Sequence, residues 1–409
     1  MKSLDNKSLD LFCLSFNEYR KIYFSSICGD NGSQEVNDEN YLISSSHNNN
    51  IYKKLFGVYE TSLKEFLKSL STCSGYMIRL NSFQNFLITN YSQYKEVSRD
   101  NFNIDYVESL TGIKTTDVLK FLLFTEYDIN KFVTYVNSEG RTVLKENINP
   151  NKYIINSPLK SIMYSQKEFT ERRNSIIHRN GELDSKYENQ FINRNKEKFK
   201  TLQEDGYYLS IKSNIVFKTD KKYLFNFIKM VLGHYYLFLF LISRGTTQSF
   251  VGDFLTNIIR QALFVHEFEK DEAAPLLDLI ISIYNHINSS SKSIFTSNKF
   301  LLSNLAQVIQ LHTNRREYHD FLSLHGDKMR ENNLGNMTIN WLAGESELAL
   351  KSFRESLNDN ELKEHEILEN IIFSKMDTHQ SFLDVYREYF KRDYPHKYHY
   401  YSTKNFLHE

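Results

Sequence analysis

One short segment of the chain places an arginine and a histidine where both could act on the same anion. Arg173 and His178 stand five positions apart within the run 170–184. An arginine keeps its positive charge and can stabilise negative charge that develops during a reaction. A histidine titrates near neutral pH and can transfer a proton. The two residue types together predict acid–base chemistry on a phosphate.

The residues around this pair predict a helix over 159–179. Successive residues of an α-helix are about 100° apart, so Phe169, Arg173, Ile176 and Ile177 share one face. Arg173 is therefore expected in line with an apolar stripe. A guanidinium in that position needs a carboxylate partner, or a groove that receives an anion, because burying an unpaired charge is costly.

His178 is expected at the end of this helix, about 140° around the axis from Arg173. Asn180-Gly181 follows it, and both residue types tolerate the left-handed conformation that ends helices. Asp184 is expected to cap the next helix. The loose geometry of a helix end and the length of an arginine side chain would allow both groups to reach one phosphate.

The remaining pattern predicts an all-α protein that contains one small β-hairpin. Few prolines and glycines interrupt the chain, and alternating residues predict the hairpin at 208–217. The apolar run 223–242 predicts a core helix rather than a membrane span, because Lys229 and His234 lie within it. Further helices are predicted at 51–70, 116–136, 250–268, 271–287, 297–313, 315–325, 345–357 and 361–374.

Three regions follow from this reading. Residues 1–50 are expected to form a partly flexible N-terminal extension with a polar loop at 29–50, and 51–245 a helical domain. Residues 246–409 are expected to form a C-terminal domain of helical hairpins. The run 341–353 resembles a turn of a tetratricopeptide-type hairpin, which indicates a solenoid-like arrangement.

Composition narrows the classes of function. Lys and Arg together number 50, as do Asp and Glu, so the formal net charge is zero. That balance argues against a protein that coats nucleic acid by bulk charge, but it permits a local basic groove. The three cysteines lack metal-ligand spacing, and the N-terminus lacks an apolar signal core, so a cytoplasmic protein without a metal or cofactor is expected.

Arg173-Asn174, three further residues and His178, followed by Asn180-Gly181, resemble the signature of the HEPN family of ribonucleases. The order of elements over 51–243 is similar to that of HEPN domains. The resemblance implies a metal-independent endoribonuclease in which a ribose 2′-OH attacks the adjacent phosphate and leaves a 2′,3′-cyclic phosphate. His178 would transfer the proton, Arg173 would stabilise charge at phosphorus, and Asn174 would orient one of them.

The same resemblance implies RNA as the partner and a homodimer formed through the HEPN-like domain. Arg172 and Arg179 flank the pair and are expected to hold backbone phosphates, with Glu171 and Asp184 as supporting carboxylates. A toxin or antiviral-defence effector is the expected biological role, together with an antitoxin or another regulatory protein.

Two other interpretations stay open on the sequence alone. In the first, Arg173 is structural and pairs with Glu171 or Asp184, and the domain is a non-catalytic HEPN-like scaffold that binds a partner protein or a nucleotide. In the second, the protein serves interactions through its C-terminal helices, and the spacing of Arg173 and His178 is accidental.

Overall fold

The structure is a computed structural model, and it describes most of the chain between Asp38 and Pro395. The described residues are 38–71, 74–91, 102–123, 132–136, 142–146, 160–179, 181–183, 185–193, 208–211, 214–217, 219, 221–242, 249–268, 270–290, 294–295 and 298–395. The predicted cap Asp184, the three cysteines and residues 1–37 lie outside these ranges.

The described part of the chain is mostly helical, in agreement with the predicted all-α class. The helices are α1 (Asp38–Ser71), α2 (Ser74–Asn90), α3 (Ile104–Thr111), α4 (Thr115–Leu123), α5 (Lys160–His178), α6 (Ser185–Tyr187), α7 (Lys221–Ile242), α8 (Ser249–Phe268), α9 (Lys270–Ser290), α10 (Leu301–His312), α11 (Arg315–Arg330), α12 (Asn333–Leu342), α13 (Ser346–Asn358), α14 (Glu364–Glu369), α15 (Ile371–Met376) and α16 (Gln380–Phe390). A π-helical turn, Glu188–Asn193, continues α6.

Two short antiparallel ladders accompany the helices. Strand β1 (Phe132–Val136) pairs with β2 (Thr142–Glu146), and Phe132 lies opposite Glu146. Strand β3 (Tyr208–Ile211) pairs with β4 (Asn214–Phe217), and Tyr208 lies opposite Phe217. The helix predicted over 116–136 is therefore wrong at Phe132–Val136, which form a strand, and residues 124–131 lie outside the described ranges. Val, Thr and Tyr side chains at 133–136 fit a pleated strand better than a helix.

The chain divides into two compact units, Met1–His234 and Tyr235–Glu409. The division falls inside α7, which begins in the first unit and ends in the second. The sequence placed the boundary between residues 245 and 246, after the end of this helix. Apart from Gly233, the apolar pattern continues through this point, so the periodicity does not mark a change of core.

The first unit is built around α1, which packs against α2, α4 and α5. Aromatic side chains join these helices to the first half of α7. The ring of Phe227 stacks on Phe56 at a centroid distance of 5.6 Å and meets Tyr52 edge-on at 5.0 Å. Phe169 of α5 meets the same ring at 5.2 Å. Such pairs contribute about 0.5–1.5 kcal/mol beyond the burial of area, and here they hold α5 against α1 and α7.

Helix α1 begins earlier than the sequence indicated. The polar run 29–50 was expected to be a loop, but the helix extends from Asp38 through Ser44 to Asn50 and on into the apolar segment. Extension of an existing helix costs far less than its nucleation. Once the residues from Ile51 onward are buried against the core, a polar N-terminal stretch can continue the same helix.

In the second unit, consecutive helices pack against one another: α8 on α9, α10 on α11, and α12 on α13. Gly344 lies in the turn between them with a φ of 84°, a conformation that side chains disfavour. The core of this unit contains Phe353, Phe373 and Phe382, all fully buried, and Tyr386 packs beside them. The run 341–353 joins α12 to α13, and these two helices pack against each other.

One predicted helix of the second unit is divided into two. The sequence indicated a single helix over 361–374, but α14 ends at Glu369 and α15 begins at Ile371. The side chain of Asn370 accepts a hydrogen bond from the backbone N–H of Ile372 at 3.3 Å. This local bond competes with the helical pattern and starts a new helix.

Candidate functional site

Helix α5 buries one side and exposes the other. Its buried positions follow the helical repeat: Glu168, Phe169, Arg172, Ser175 and Ile176. The opposite side contains Arg173 and Asn174, which are half-buried, and Ile177 and His178, which are exposed. Arg172 therefore lies in the interior, whereas Arg173 and His178 lie on the outer side of the helix.

A pair of opposite charges lies in the interior behind α5. Arg172 has no exposed surface, and its Nε donates a hydrogen bond to Oε1 of Glu168 at 2.9 Å. Opposite charges four residues apart meet on one side of a helix. A buried charge is tolerated only when it is paired and its remaining hydrogen-bonding groups are satisfied.

Two tyrosines from other elements complete this cluster. Tyr187 of α6 donates to Oε1 of Glu168 and accepts a bond from Nη2 of Arg172 at 3.3 Å. Tyr223 of α7 donates to Oε2 of Glu168 at 3.0 Å, and its ring lies beneath the guanidinium, 3.8 Å from centroid to carbon. Burial raises the pKa of Tyr223, so its hydroxyl stays a donor. The charged pair is thus surrounded by specific partners.

Two predictions are wrong at this point. Arg173 does not lie in the apolar stripe, since Arg172 occupies the interior and Ile177 of the supposed stripe is 39% exposed. Arg172 was also expected to hold a backbone phosphate. Its guanidinium has no exposed surface and is engaged by Glu168 and Tyr187, so in this structure it is a structural group.

Arg173 reaches the surface beside three neighbours. Its Nη1 donates to Oδ1 of Asn174 at 3.1 Å, and its Nη2 lies 3.7 Å from Oε2 of Glu60 on α1. The guanidinium carbon lies 5.6 Å from the ring centroid of Phe56, and the side chain is 30% exposed. Because the Arg173 guanidinium is partly exposed and its ion pair with Glu60 is long, it can bind a further anion.

His178 is the last residue of α5, and its side chain is exposed, as is that of Arg179. Beyond the helix, Gly181 adopts a φ of 85°, and its N–H donates to the carbonyl oxygen of Ser175 at 3.2 Å. The helix therefore ends where the sequence indicated. Glu171, one of the expected supporting carboxylates, is half-buried, and Asp184 lies outside the described residues.

The geometry brings Arg173 and Asn174 together but does not join Arg173 to His178. Within the described residues no hydrogen bond links those two side chains. Both groups nevertheless belong to the solvent-facing side of the same helix, less than two turns apart. An anion that touches both would have to bridge them.

Sequence reasoning missed Glu60, the carboxylate beside Arg173. It also missed Tyr187 and Tyr223, which hold the buried pair. The spacing of Glu168 and Arg172 was a readable signal for that pair. For Glu60 and the tyrosines no local signal exists, because their contacts join elements that are far apart in the chain.

A metal-binding cluster and a membrane-spanning helix are two other features that a chain of this kind could contain. Among the described residues, His, Cys, Asp and Glu form no group of three or more that could hold a metal ion. None of the described helices has the length and apolarity that crossing a bilayer requires.

Comparison of the chain with protein-family models, with curated proteins and with solved structures finds no match.

Proposed function

We propose that this protein is a metal-independent endoribonuclease of the HEPN type in which Arg173 and His178 act on RNA. One observation supports the proposal above all. The two residues whose spacing resembles the family signature lie on the accessible side of α5, while the adjacent Arg172 is held in the interior. The buried pair of Glu168 and Arg172 fixes which side of α5 faces outward, and Arg173 and His178 both lie on that side.

In the proposed reaction, a ribose 2′-OH attacks the adjacent phosphorus and displaces the 5′-oxygen of the next nucleotide. His178 removes the proton from the 2′-OH or returns one to the leaving oxygen. Arg173 stabilises the additional negative charge on the phosphate oxygens. Asn174, which accepts a hydrogen bond from Arg173, orients the guanidinium. The products are a 2′,3′-cyclic phosphate and a 5′-OH end.

The quaternary state and the biological role belong to the same proposal. A homodimer through the first unit would bring two copies of α5 together, so that Arg173 of one copy and His178 of the other could share a phosphate. Arg179 is exposed next to His178 and is a candidate for a neighbouring backbone phosphate. A toxin or antiviral-defence effector, restrained by an antitoxin or another regulatory protein, fits such an enzyme.

The direct test is a cleavage assay with purified protein. Transfer RNA and messenger RNA are incubated with the wild type, Arg173→Ala and His178→Ala, each with and without a chelator, and the product ends are mapped. We expect cleavage that the chelator leaves unchanged and that His178→Ala slows by about a hundredfold or more.

A matched control comes from the second unit, where Arg316 and His319 are both exposed on α11. The variants Arg316→Ala and His319→Ala should cut RNA as fast as the wild type. Cleavage that survives in both α5 variants, or that disappears with the chelator, would contradict the proposal.

One observation favours the scaffold alternative. Arg173 is already paired with Glu60, as a purely structural arginine would be. Under that alternative, the purified protein leaves RNA intact and binds a partner protein or a nucleotide. The variant Arg173→Ala then binds that partner or nucleotide as tightly as the wild type.

A further inference from the structure

The ion pair between Glu60 and Arg173 lies at an open surface. It joins α1 to α5 with 3.7 Å between Oε2 and Nη2, and the two side chains are 43% and 30% exposed. A pair with this exposure contributes little to stability. Its position suggests a different consequence, because any anion that binds Arg173 must approach the Glu60 carboxylate.

Glu60 pairs with Arg173, whereas the neighbouring Lys64 pairs with other carboxylates. Lys64, one turn further along α1, is paired with Asp105 and lies 3.7 Å from Oε2 of Glu108. Burial raises the pKa of Glu60, Arg173 lowers it, Glu108 raises it again, and Lys64 and Lys114 lower it, with a net increase. The net increase therefore comes mainly from burial, while the cations around Glu60 favour its charged form.

Repulsion by a fixed carboxylate grows with the charge of the arriving group. An internal phosphodiester carries one negative charge, while a phosphomonoester carries about 1.5 to 2 at neutral pH. Two unit charges about 4 Å apart in water-like surroundings change an equilibrium constant about fivefold. A dianion therefore loses about 25-fold where a monoanion loses about fivefold.

We infer that Glu60 makes the Arg173 site selective for internal phosphodiesters over terminal phosphomonoesters. This inference rests on the proposed role of Arg173 as the phosphate-binding group, and it defines the class of substrate. Long RNA segments enter the site through their backbone. Free nucleotides and the phosphorylated ends of RNA fragments are disfavoured.

The test uses two probes that differ by one charge: a 2′-deoxynucleoside 3′-monophosphate and its methyl ester, which is a phosphodiester. Phosphorus NMR titrations measure the affinity of each probe for the full-length protein. Measurements at about pH 8 keep the monoester dianionic, since its second pKa is about 6. Neither probe has a 2′-OH, so the proposed reaction cannot cleave either of them and the result does not depend on catalysis.

Three variants are compared with the wild type. Glu60→Gln keeps the size of the side chain and removes its charge. Glu65→Gln is the matched control, because Glu65 lies on the same helix with the same 43% exposure of its side chain but pairs with Lys68. Arg173→Gln reports whether the probes bind at the proposed group.

We expect Glu60→Gln to bind the methyl ester about fivefold more tightly and the monophosphate about 25-fold more tightly than the wild type. Glu65→Gln should behave as the wild type, and Arg173→Gln should lose the binding of both probes. Equal gains for the two probes, no gain, or the absence of binding by both wild type and Glu60→Gln would overturn the inference. RNA that stays uncut while the charge-dependent gain is observed would contradict the proposed ribonuclease activity alone.

Discussion

The first unit buries a glutamate and an arginine side by side, whereas the buried polar side chains described in the second unit are hydroxyls, amides and one imidazole. Replacing a buried ion pair with apolar side chains often leaves stability unchanged or increases it. The first unit therefore gains little stability from Glu168 and Arg172. What the pair provides is a defined orientation of α5, and the second unit, whose core rests on packed phenylalanines, has no comparable arrangement among its described residues.

The largest effect is expected from breaking the buried pair. Arg172→Met leaves Glu168 without its cation and should lower the free energy of unfolding by about 3–5 kcal/mol. The double variant Glu168→Gln/Arg172→Met should recover much of that loss, because no charge is left in the interior. Urea denaturation followed by circular dichroism measures both values.

The neighbouring arginine provides the control. Arg173→Met removes a half-exposed ion pair and should cost less than about 1 kcal/mol. Similar losses for the two single variants would contradict the contrast between the inner and the outer side of α5.

A smaller effect is expected in the second unit, where close packing replaces charge. A Cβ atom added to Gly335 would lie 1.9 Å from the carbonyl oxygen of Met329. Gly335→Ala should therefore force the start of α12 away from α11 and cost about 1–3 kcal/mol. Thermal unfolding of the variant measures this loss.

Gly57 on α1 is the matched glycine of the first unit. A Cβ there meets no atom within 4 Å, and the position is exposed. Gly57→Ala should stabilise the protein by about 0.5–1 kcal/mol, because alanine favours a helix. A stabilising Gly335→Ala would show that the two helices can separate freely at this point.

The pH dependence of stability should follow the titratable groups of the first unit. Burial lowers the pKa of His234 to about 3, and Lys120 adds to the effect. The neutral ring shares a hydrogen bond with the hydroxyl of Tyr59, with 2.6 Å between Nδ1 and the oxygen. Below about pH 6.5 the unfolded chain protonates this histidine, while the folded protein does not.

Stability should therefore fall as the pH decreases from about 6.5 towards 3, by at most about 1.4 kcal/mol per pH unit from this residue. Denaturation curves at several pH values measure the slope. His234→Gln should flatten it, and His365→Gln, at an exposed position of the second unit, should leave it unchanged. An identical slope in the wild type and His234→Gln would assign the dependence to other groups.

The sequence predicted where several helices begin and end better than it predicted which of their sides are buried. The predicted limits 159–179 and 250–268 agree with α5 and α8 to within one residue, because apolar periodicity and helix-ending residues are local signals. Helices α2, α3, α12 and α16 were missed. Helix α12 contains asparagines and a glycine that resemble a loop, and α16 lies in an aromatic, charged tail.

The apolar residues of α5 alone do not identify the buried arginine, although the spacing of Glu168 and Arg172 favours their pairing. Arg172 and Arg173 are adjacent and of the same type, and Phe169, Ile176 and Ile177 do not distinguish the two possible faces. Tyr187 and Tyr223 decide the matter, and they reach α5 from later elements of the chain. The partner of Arg173 is equally distant in sequence, because Glu60 lies on α1.

Arg172 is buried and the next residue, Arg173, faces outward, so α5 has a single rotational orientation about its own axis. Turning the helix by one residue, about 100°, would bring a second guanidinium towards the tyrosines but would carry Glu168 away from them. The helix therefore cannot exchange one arginine for the other, although their side chains are chemically identical. Loss of Tyr187 or Tyr223 would therefore weaken the contacts that set the outward-facing residues of α5 without touching any of them.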